Sequence, residues 1–252
     1  MKKYFNVFLE FDKDIIHSTI HNAVKQDLKG YVCTIESNNL SIANKDIHFN
    51  KVVNEALVNV CDGSNIARFL GKLYDKNFTS YIGNDIFNYF IAQKTYTHYF
   101  LGNTEEILYK LKEQLIHIDP RVNNMPFESL PFKKVEDFDY KKIATKINRQ
   151  SPDLIWVSLG APKQELFMYN LLPYLNRGVM FGVGAAFNYS AKTGPVKRAP
   201  QWMLNAKLEW LYRACEEPKK NIPRYWNFIK LLPSLIYQEK RLIRSTNQTK
   251  QL

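Results

Sequence analysis

An aspartate that follows an apolar stretch is the side chain of this sequence best placed for acid–base chemistry. Residues 57–61 predict a buried strand, and Asp62 and Gly63 come directly after it. In a parallel sheet, ligands bind in the crevice at the carboxyl ends of the strands, so we expect this carboxylate to face such a crevice. There it could accept a proton from an attacking hydroxyl. An Asp-Gly pair is also a common turn, and the residues alone favour that plainer interpretation.

Two strand–turn–helix units indicate a site for an anionic ligand. Residues 154–159 predict a strand, and the turn and helix start that follow it read Gly160, Ala161, Pro162, Lys163, Gln164 and Glu165. Residues 178–183 predict a second buried strand, after which Gly184 would let the backbone approach a ligand closely. Because the free N–H groups of a helix amino terminus bind anions, the two units together predict a ligand that carries phosphate.

Strand and helix patterns alternate through residue 187. Strands are predicted at residues 4–11, 31–35, 57–61, 78–82, 96–101, 154–159 and 178–183. Helices are predicted at 12–29 with Gly30 as the carboxyl-terminal cap, at 37–44, 48–56 and 140–149, and from Thr104 onward. Residues 118–136 contain three prolines and predict a long connection. The alternation predicts an α/β fold with a mostly parallel, doubly wound (Rossmann-like) sheet.

The last quarter of the chain differs in pattern and in charge. Beyond residue 200 only helices are predicted, broken at Pro218, Pro223 and Pro233. From residue 192 onward there are 13 Lys and Arg against four Glu, whereas the first 191 residues hold 22 basic against 20 acidic side chains. We therefore predict a catalytic α/β core over residues 1–199, a basic amphipathic helical appendage over 200–244 and a disordered tail over 245–252.

Composition limits the partners and the compartment. A basic, aromatic-rich appendage suits an anionic membrane surface, an anionic acceptor or nucleic acid, although a solvated basic face has the same composition. Three cysteines without CxxC spacing fit a reducing compartment. The absence of a signal peptide and of 18 consecutive apolar residues predicts a cytosolic protein, at most peripheral to a membrane. His17 and His21 have a spacing that could hold a metal, but without a third ligand we expect none.

Four motifs, taken in order, resemble the WecG/TagA/CpsF family of bacterial glycosyltransferases (glycosyltransferase family 26). They are the turn and helix start at residues 160–165, the segment 182–187, the segment 198–200, and residues 208–213 followed by Glu217 and Pro218. The resemblance continues more weakly upstream through Thr34 and Asp62, and so covers about residues 5–230.

The resemblance implies an inverting transferase. It would move a sugar from a UDP-sugar to a polyprenyl-diphosphate-linked saccharide at the cytoplasmic face of a bacterial inner membrane, in cell-surface polysaccharide synthesis. The donor sugar would be of the N-acetylmannosamine or uronic-acid type or a related hexose. No cofactor or metal would be needed, and nucleic acid would not be a partner. A homo-oligomer is an open possibility, since an appendage that moves would leave apolar surface exposed.

The resemblance also implies roles for individual residues. Asp62 would be the general base. The donor would be bound by Thr34, Glu36, Gly63, Gly102, Gly160, Pro162, Gln164, Glu165, Gly184 and Asn188. The departing pyrophosphate and the acceptor would be bound by Arg198, Arg213, Lys219, Lys220 and Arg224.

Four positions depart from the family's pattern. Glu36 replaces a neutral asparagine, and Asn188 replaces an aspartate; Ser80 and Pro223 each stand where an arginine is usual. A carboxylate in place of an amide changes which groups can be recognised, so the resemblance does not determine the identity of the donor sugar. These departures motivate one alternative, a nucleotide-sugar-binding scaffold with weakened catalysis. A second alternative, a nucleic-acid-binding protein, depends on charge alone.

Overall fold

A six-stranded parallel sheet is the centre of the protein, for which a computed structural model describes residues 1–193, 198–206 and 208–249. The strands, in chain order, are β1 (Lys2–Tyr4), β2 (Val7–Leu9), β3 (Lys29–Ile35), β4 (Val58–Cys61), β5 (His98–Gly102), β6 (Phe127–Glu128), β7 (Leu154–Ser158) and β8 (Gly178–Gly182). The sheet order is β4-β3-β8-β7-β5-β6, and every pair is parallel. β1 and β2 form a separate antiparallel hairpin.

Helices cover both faces of this sheet. They are α1 (Lys13–Lys25), α2 (Ser37–Ala43), α3 (Ile47–Asn54), α4 (Ser64–Tyr74), α5 (Gly83–Ala92), α6 (Glu105–Ile118), α7 (Tyr140–Gln150), α8 (Lys163–Leu171), α9 (Ala186–Ala191), α10 (Gln201–Asn205), α11 (Glu209–Glu216) and α12 (Pro218–Thr249). Residues of α2, α3, α7 and α8 share one hydrophobic core, and residues of α1, α5, α6 and α9 share the other. The predicted doubly wound α/β fold is confirmed.

Strand β7 shows why its sequence is continuously apolar. Ile155 and Val157 belong to the first core, whereas Leu154 and Trp156 belong to the second. Successive side chains of a strand point to opposite faces, so a strand with helices on both sides buries every residue. All five residues of β7 are buried.

Two predicted strands were wrong. Residues 78–82 form no strand, because the segment runs irregularly past β4, where the Tyr81 N–H donates to the Cys61 carbonyl at 2.8 Å. Residues 4–11 form no single strand either. Phe5 and Asn6 have φ values of 50° and 65°, which reverse the chain between β1 and β2.

Two further boundaries differ from the prediction. The first helix ends at Lys25, before Gly30, which lies within β3 instead of capping the helix. The predicted connection over residues 118–136 contains a 3₁₀ helix, Pro120–Asn124, and the edge strand β6. Two residues are too few to show the alternating pattern of a strand, and the prolines around this edge strand favour an irregular segment.

The long C-terminal helix is anchored on the core. Leu235 is 1% exposed and joins the first hydrophobic core. The buried Glu239 carboxylate accepts the Phe5 backbone N–H at 2.5 Å and the Tyr74 hydroxyl. These contacts join the last helix to the N-terminal hairpin and to α4, and they keep the pocket-facing half of the helix in place.

The helix continues where breaks were predicted. Pro218 begins α12, but Pro223 and Pro233 lie inside it, with their rings exposed to solvent. A proline removes one backbone hydrogen bond from a helix, and tertiary packing can outweigh that loss. Residues 245–249 belong to α12, so the predicted tail is helical there, while 250–252 lie outside the described residues. None of the helices described is long and apolar enough to cross a bilayer.

Leu235→Ala should lower the free energy of unfolding by about 2–4 kcal/mol, because it leaves a cavity under α12. The matched control is Ile229→Ala, on the same helix but 54% exposed, which should cost about 0.5 kcal/mol or less. Urea unfolding followed by circular dichroism measures both. Equal losses for the two variants would mean that the helix is not anchored as described.

Candidate active site

The carboxyl ends of four neighbouring strands, β4, β3, β8 and β7, lie side by side at one end of the sheet, here called the sheet edge. The Thr34 hydroxyl, in β3, donates to the Gly182 carbonyl of β8 at 2.9 Å. Asp62 follows β4, and its backbone N–H donates to the Ile35 carbonyl of β3 at 3.0 Å. The chain leaves β3 for α2 on one face and β8 for α9 on the other. Diverging connections of this kind open a crevice at the sheet edge.

Asp62 lines a pocket of about 330 Å³ between this edge and the C-terminal helices. The other charged residues that line the pocket are Glu36, Glu209 and Arg213. The apolar walls are formed by Ile66, Ile82, Trp210, Tyr225, Phe228, Ile229 and Leu232. The carboxyl group is therefore open to the cavity but surrounded by protein.

The surroundings of Asp62 raise its pKa to about 7. Desolvation is the main cause, and the like charges of Glu36 and Glu209 act in the same direction. Arg213 and the backbone N–H of Gly83 act in the opposite direction. A carboxylate with a pKa near 7 is a stronger base than an ordinary aspartate and is suited to accept a proton at neutral pH.

Arg213 is held in one orientation at the pocket wall. Its guanidinium donates to the Tyr189 hydroxyl and to Glu209 Oε1, the latter at 3.3 Å, and lies 5.5 Å from the centre of the Tyr189 ring. Desolvation lowers the pKa of Arg213, but Tyr189, Glu209, Glu36 and Asp62 outweigh it and raise the pKa overall. The side chain is therefore a fixed cation that can face negative charge developing in the pocket.

A buried hydrogen-bond chain, here called the Glu165 network, connects three strand-end turns. The Gly184 N–H donates to Gln164 Oε1 at 3.0 Å, and Gln164 Nε2 donates to Glu165 Oε1 at 3.1 Å. Asn39 Nδ2 donates to the same carboxyl oxygen at 3.1 Å, and Asn39 Oδ1 accepts the Glu36 N–H at 3.3 Å. Gln164 and Glu165 are 3% and 0% exposed. In this structure Gln164 and Glu165 therefore hold the three turns in place from the protein interior.

A second polar cluster lies at the ends of β5, β7 and β8. Asn103 Nδ2 donates to Asn188 Oδ1 at 3.0 Å and to Ser158 Oγ at 3.2 Å. The Ser158 hydroxyl donates to the Gly184 carbonyl at 2.7 Å. A side chain at Gly102 would lie 2.7 Å from the Ser158 carbonyl oxygen, and its φ of 97° favours glycine. The cluster therefore fixes the backbone beside the crevice.

Sequence reasoning missed three residues of these clusters. Asn39, Asn103 and Ser158 each carry a structural hydrogen bond that holds a predicted site residue. One signal was available, because Asn103 and Ser158 both stand at the ends of predicted strands. Asn39 lies within a helix three residues after Glu36, and only the folded structure shows that it faces α8.

The remaining predicted donor residues lie in turns around the crevice. Gly63 is the N-cap of α4 and lines the pocket with Asp62. Gly160 has a φ of 75°, and a cis peptide bond joins Ala161 to Pro162 before α8. Gly160 and Pro162 therefore lie in the turn that precedes the helix carrying Gln164 and Glu165.

The predicted pyrophosphate-binding cations do not all converge. Among the residues that the structure describes, Arg213 alone of the five lines the pocket. Arg198 pairs with Asp85 at 3.2 Å, on the side of α5. Their side chains are 34% and 47% exposed, so this pair can be broken at little cost.

The other three cations lie along the first turns of α12. Arg224 Nη2 donates to the Ala161 carbonyl at 3.4 Å, which places it beside the cis-proline turn. Lys220 pairs with Glu217 at 3.0 Å, and Lys219 is exposed. Only Arg224 of these three thus lies beside a turn of the crevice.

The two histidines considered as metal ligands have other partners. His17 Nε2 lies 3.0 Å from the Tyr81 hydroxyl, and His21 Nδ1 lies 3.2 Å from the Tyr96 hydroxyl. Within the described ranges, no cluster of three or more His, Cys, Asp and Glu side chains could hold a metal ion.

Fold and site together define an α/β protein with a candidate base in a crevice at the sheet edge. A sequence model of the glycosyl transferase WecG/TagA/CpsF family matches residues 8–246. The match covers most of the chain, so the protein belongs to this family, and the resemblance noted from its motifs is confirmed.

Two curated bacterial proteins are similar over a shorter stretch. Both are named N-acetylglucosaminyldiphosphoundecaprenol N-acetyl-beta-D-mannosaminyltransferase, and over 92 residues the chain is 38% identical to the one from Bacillus subtilis (strain 168) and 35% identical to the one from Bacillus spizizenii. Each match covers 34% of this chain and 35% of the relative. The chain thus spans about a third of the length of the curated relatives it matches.

Glu165→Gln should make stability less dependent on pH. Desolvation raises the pKa of Glu165 from its ordinary 4.5 to about 7, although Gln164 and Asn39 lower it. The stability that this carboxyl contributes is therefore fully present below about pH 4.5 and is lost as the pH rises through 7. Glutamine cannot ionise, so the variant should gain stability relative to the parent between pH 5 and 7, measured by urea unfolding at each pH.

Two further variants test the network itself. Glu216→Gln, at an exposed position of α11, should show no such gain. Glu165→Leu should cost about 1–3 kcal/mol below about pH 4.5, because it leaves the buried donors of Asn39 and Gln164 unpaired, and the cost should shrink as the pH rises toward 7, because leucine cannot ionise either. Equal pH profiles for the parent and Glu165→Gln would contradict a raised pKa at Glu165.

Proposed function

We propose that this protein is an inverting glycosyltransferase that moves a sugar from a UDP-sugar to a polyprenyl-diphosphate-linked saccharide. One observation carries the proposal: Asp62 lies at a strand end, inside a pocket that raises its pKa to about 7, with the fixed cation Arg213 in the same pocket. A base and a positive charge in one cavity are what a transfer with an anionic leaving group requires.

In the proposed reaction, Asp62 accepts the proton of an acceptor hydroxyl while the oxygen of that hydroxyl attacks the anomeric carbon of the donor sugar. The bond from that carbon to the diphosphate breaks on the opposite side, so the configuration inverts and UDP leaves with the electron pair. Arg213 stabilises the negative charge that develops on the leaving group. Arg224 beside the cis-proline turn is a second cation for this role.

The donor is proposed to lie along the crevice, with its nucleotide toward the cluster of Asn103, Asn188 and Gly184. Asn188 is 8% exposed and already accepts a hydrogen bond from Asn103, so its amide is oriented before any ligand binds. Groups that are positioned in advance lose less conformational entropy when they bind. The Glu165 network supports the turn on the other side.

A lipid-linked acceptor is supported by the relatives and by the surface of the C-terminal helices. The names of the two relatives specify an acceptor built on diphosphoundecaprenol. In this protein Trp202 on α10 is 65% exposed, and Ile222 and Trp226 are 55% and 56% exposed on α12, which is rich in lysine and arginine. Aromatic and basic side chains of this kind bind anionic membrane surfaces, so we propose a peripheral location at the cytoplasmic face.

Asp62→Asn should reduce transfer by about 10²–10⁴-fold, because the amide cannot accept the proton. The affinity for UDP should stay within a few-fold. In the parent protein, the rate should fall as the pH drops through about 7, where Asp62 becomes protonated. Product formation from a panel of UDP-sugars, measured by mass spectrometry, and UDP binding by calorimetry test these expectations.

The control for this variant is Asp75→Asn, at an exposed left-handed position that asparagine also tolerates. It should leave transfer unchanged. Unchanged turnover in Asp62→Asn would remove Asp62 from the mechanism. UDP-sugar binding by the parent without any transfer or donor hydrolysis would favour the scaffold alternative.

A double variant, Ile222→Ser with Trp226→Ser, should bind less to vesicles of anionic phospholipid in a sedimentation assay. Tyr109→Ser, at a 62% exposed aromatic residue of α6, is the control and should bind as the parent does. Deletion of the whole C-terminal region would be a poor test, because it would uncover the core under Leu235. Binding to single-stranded DNA with a steep salt dependence, and none to vesicles, would instead favour the nucleic-acid alternative.

A further inference from the structure

The pocket around Asp62 contains more carboxylates than cations. Its described lining includes Glu36, Asp62 and Glu209, against the single guanidinium of Arg213. A neutral sugar with free hydroxyls can donate hydrogen bonds to such a wall, since carboxylates accept them readily. A sugar ring that carries a carboxylate of its own meets repulsion at this wall.

Glu36 is placed so that a sugar beside Asp62 also meets it. It is the N-cap residue of α2, at the carboxyl end of β3, which is the sheet neighbour of β4. Its backbone N–H is fixed by Asn39, which belongs to the Glu165 network. Its charge raises the pKa of Asp62, so the two carboxylates interact electrostatically within the pocket.

Arg213 does not neutralise this excess. Its Nη2 already donates to Tyr189 and to Glu209, and Asp62 shares the same cation. One guanidinium therefore serves three carboxylates. Among the lining residues described, no second cation compensates Glu36.

We propose that Glu36 determines donor specificity by excluding acidic sugars, so that the pocket accepts a neutral or amino sugar and rejects a uronate. The inference depends on the proposed function, because it assigns the sugar class of the same donor. A uronate carboxylate beside Glu36 and Asp62 would be a third like charge in one small cavity, which is strongly unfavourable. An asparagine or glutamine at position 36 would keep similar hydrogen-bonding atoms and lose the repulsion.

The test compares one UDP-N-acetylhexosamine with the corresponding UDP-N-acetylhexosaminuronate on the full-length protein. We expect the parent to favour the neutral donor by about 10- to 100-fold in kcat/KM, and Glu36→Gln to reduce this preference at least several-fold. Asp75→Asn, which removes an exposed carboxylate outside the pocket lining, should leave the preference unchanged. A parent that prefers the uronate, or a Glu36→Gln variant with the parental ratio, would overturn the inference.

Calorimetric binding of the same two donors separates this inference from the proposed function. If neither donor is transferred but the neutral one binds more tightly and Glu36→Gln removes the difference, the inference holds and the proposed catalysis fails. If both donors are transferred equally well, the proposed function holds and the inference fails.

A pH profile distinguishes a charge effect from a change of shape. Asp62 is faced by Glu36 after β3, Glu209 and Arg213 on α11, Tyr189 on α9 and the Gly83 N–H of α5. Removing the charge of Glu36 should lower the pKa of Asp62 and move the acidic limb of the activity profile to lower pH. If the acidic limb of the activity profile lies at the same pH in Glu36→Gln as in the parent, the electrostatic argument is contradicted.

Discussion

Desolvation of one carboxyl group is the constraint on which the site depends. Asp62 follows a strand that is buried on both faces, and the C-terminal helices form the wall opposite the sheet edge. Without that wall, water would solvate the carboxylate and its pKa would approach that of an ordinary aspartate. The basicity of the proposed catalyst is thus produced by tertiary packing between two distant parts of the chain, the sheet edge and residues 209–232.

The same packing explains why positive charge alone is a poor guide to the site. The C-terminal region holds most of the chain's excess of basic residues, yet Arg213 is the predicted cation that lines the pocket, and Arg198 and Lys220 pair with nearby acids. In the proposed mechanism, the leaving group meets a cation whose orientation is fixed by Tyr189 and Glu209. Exposed pairs contribute little to stability, so the paired cations can be released to a ligand.

The sequence predicted the sheet well because strands buried on both faces have a distinctive apolar composition, as in β7 and β8. It also placed Asp62, Thr34 and the Gly184 turn at strand ends, where the structure has them. It failed at residues 78–82, which make a backbone hydrogen bond to the outer side of β4 from Tyr81 to Cys61, while Glu10 bridges Val60 of the same strand. The sequence also predicted helix ends at Pro223 and Pro233. Tertiary packing outweighs the backbone hydrogen bond that each proline removes, so the helix continues through both.

The contact of Glu239 with Phe5 and Tyr74 has a consequence for the order in which the protein is assembled. During synthesis the hairpin and α4 leave the ribosome before their partner Glu239, which lies 165 residues after Tyr74 and 234 residues after Phe5. Residues of α11 and α12 form the outer wall of the crevice, so the environment that raises the pKa of Asp62 exists only once both helices have packed. The proposed catalytic site is therefore among the last parts of the protein to be completed.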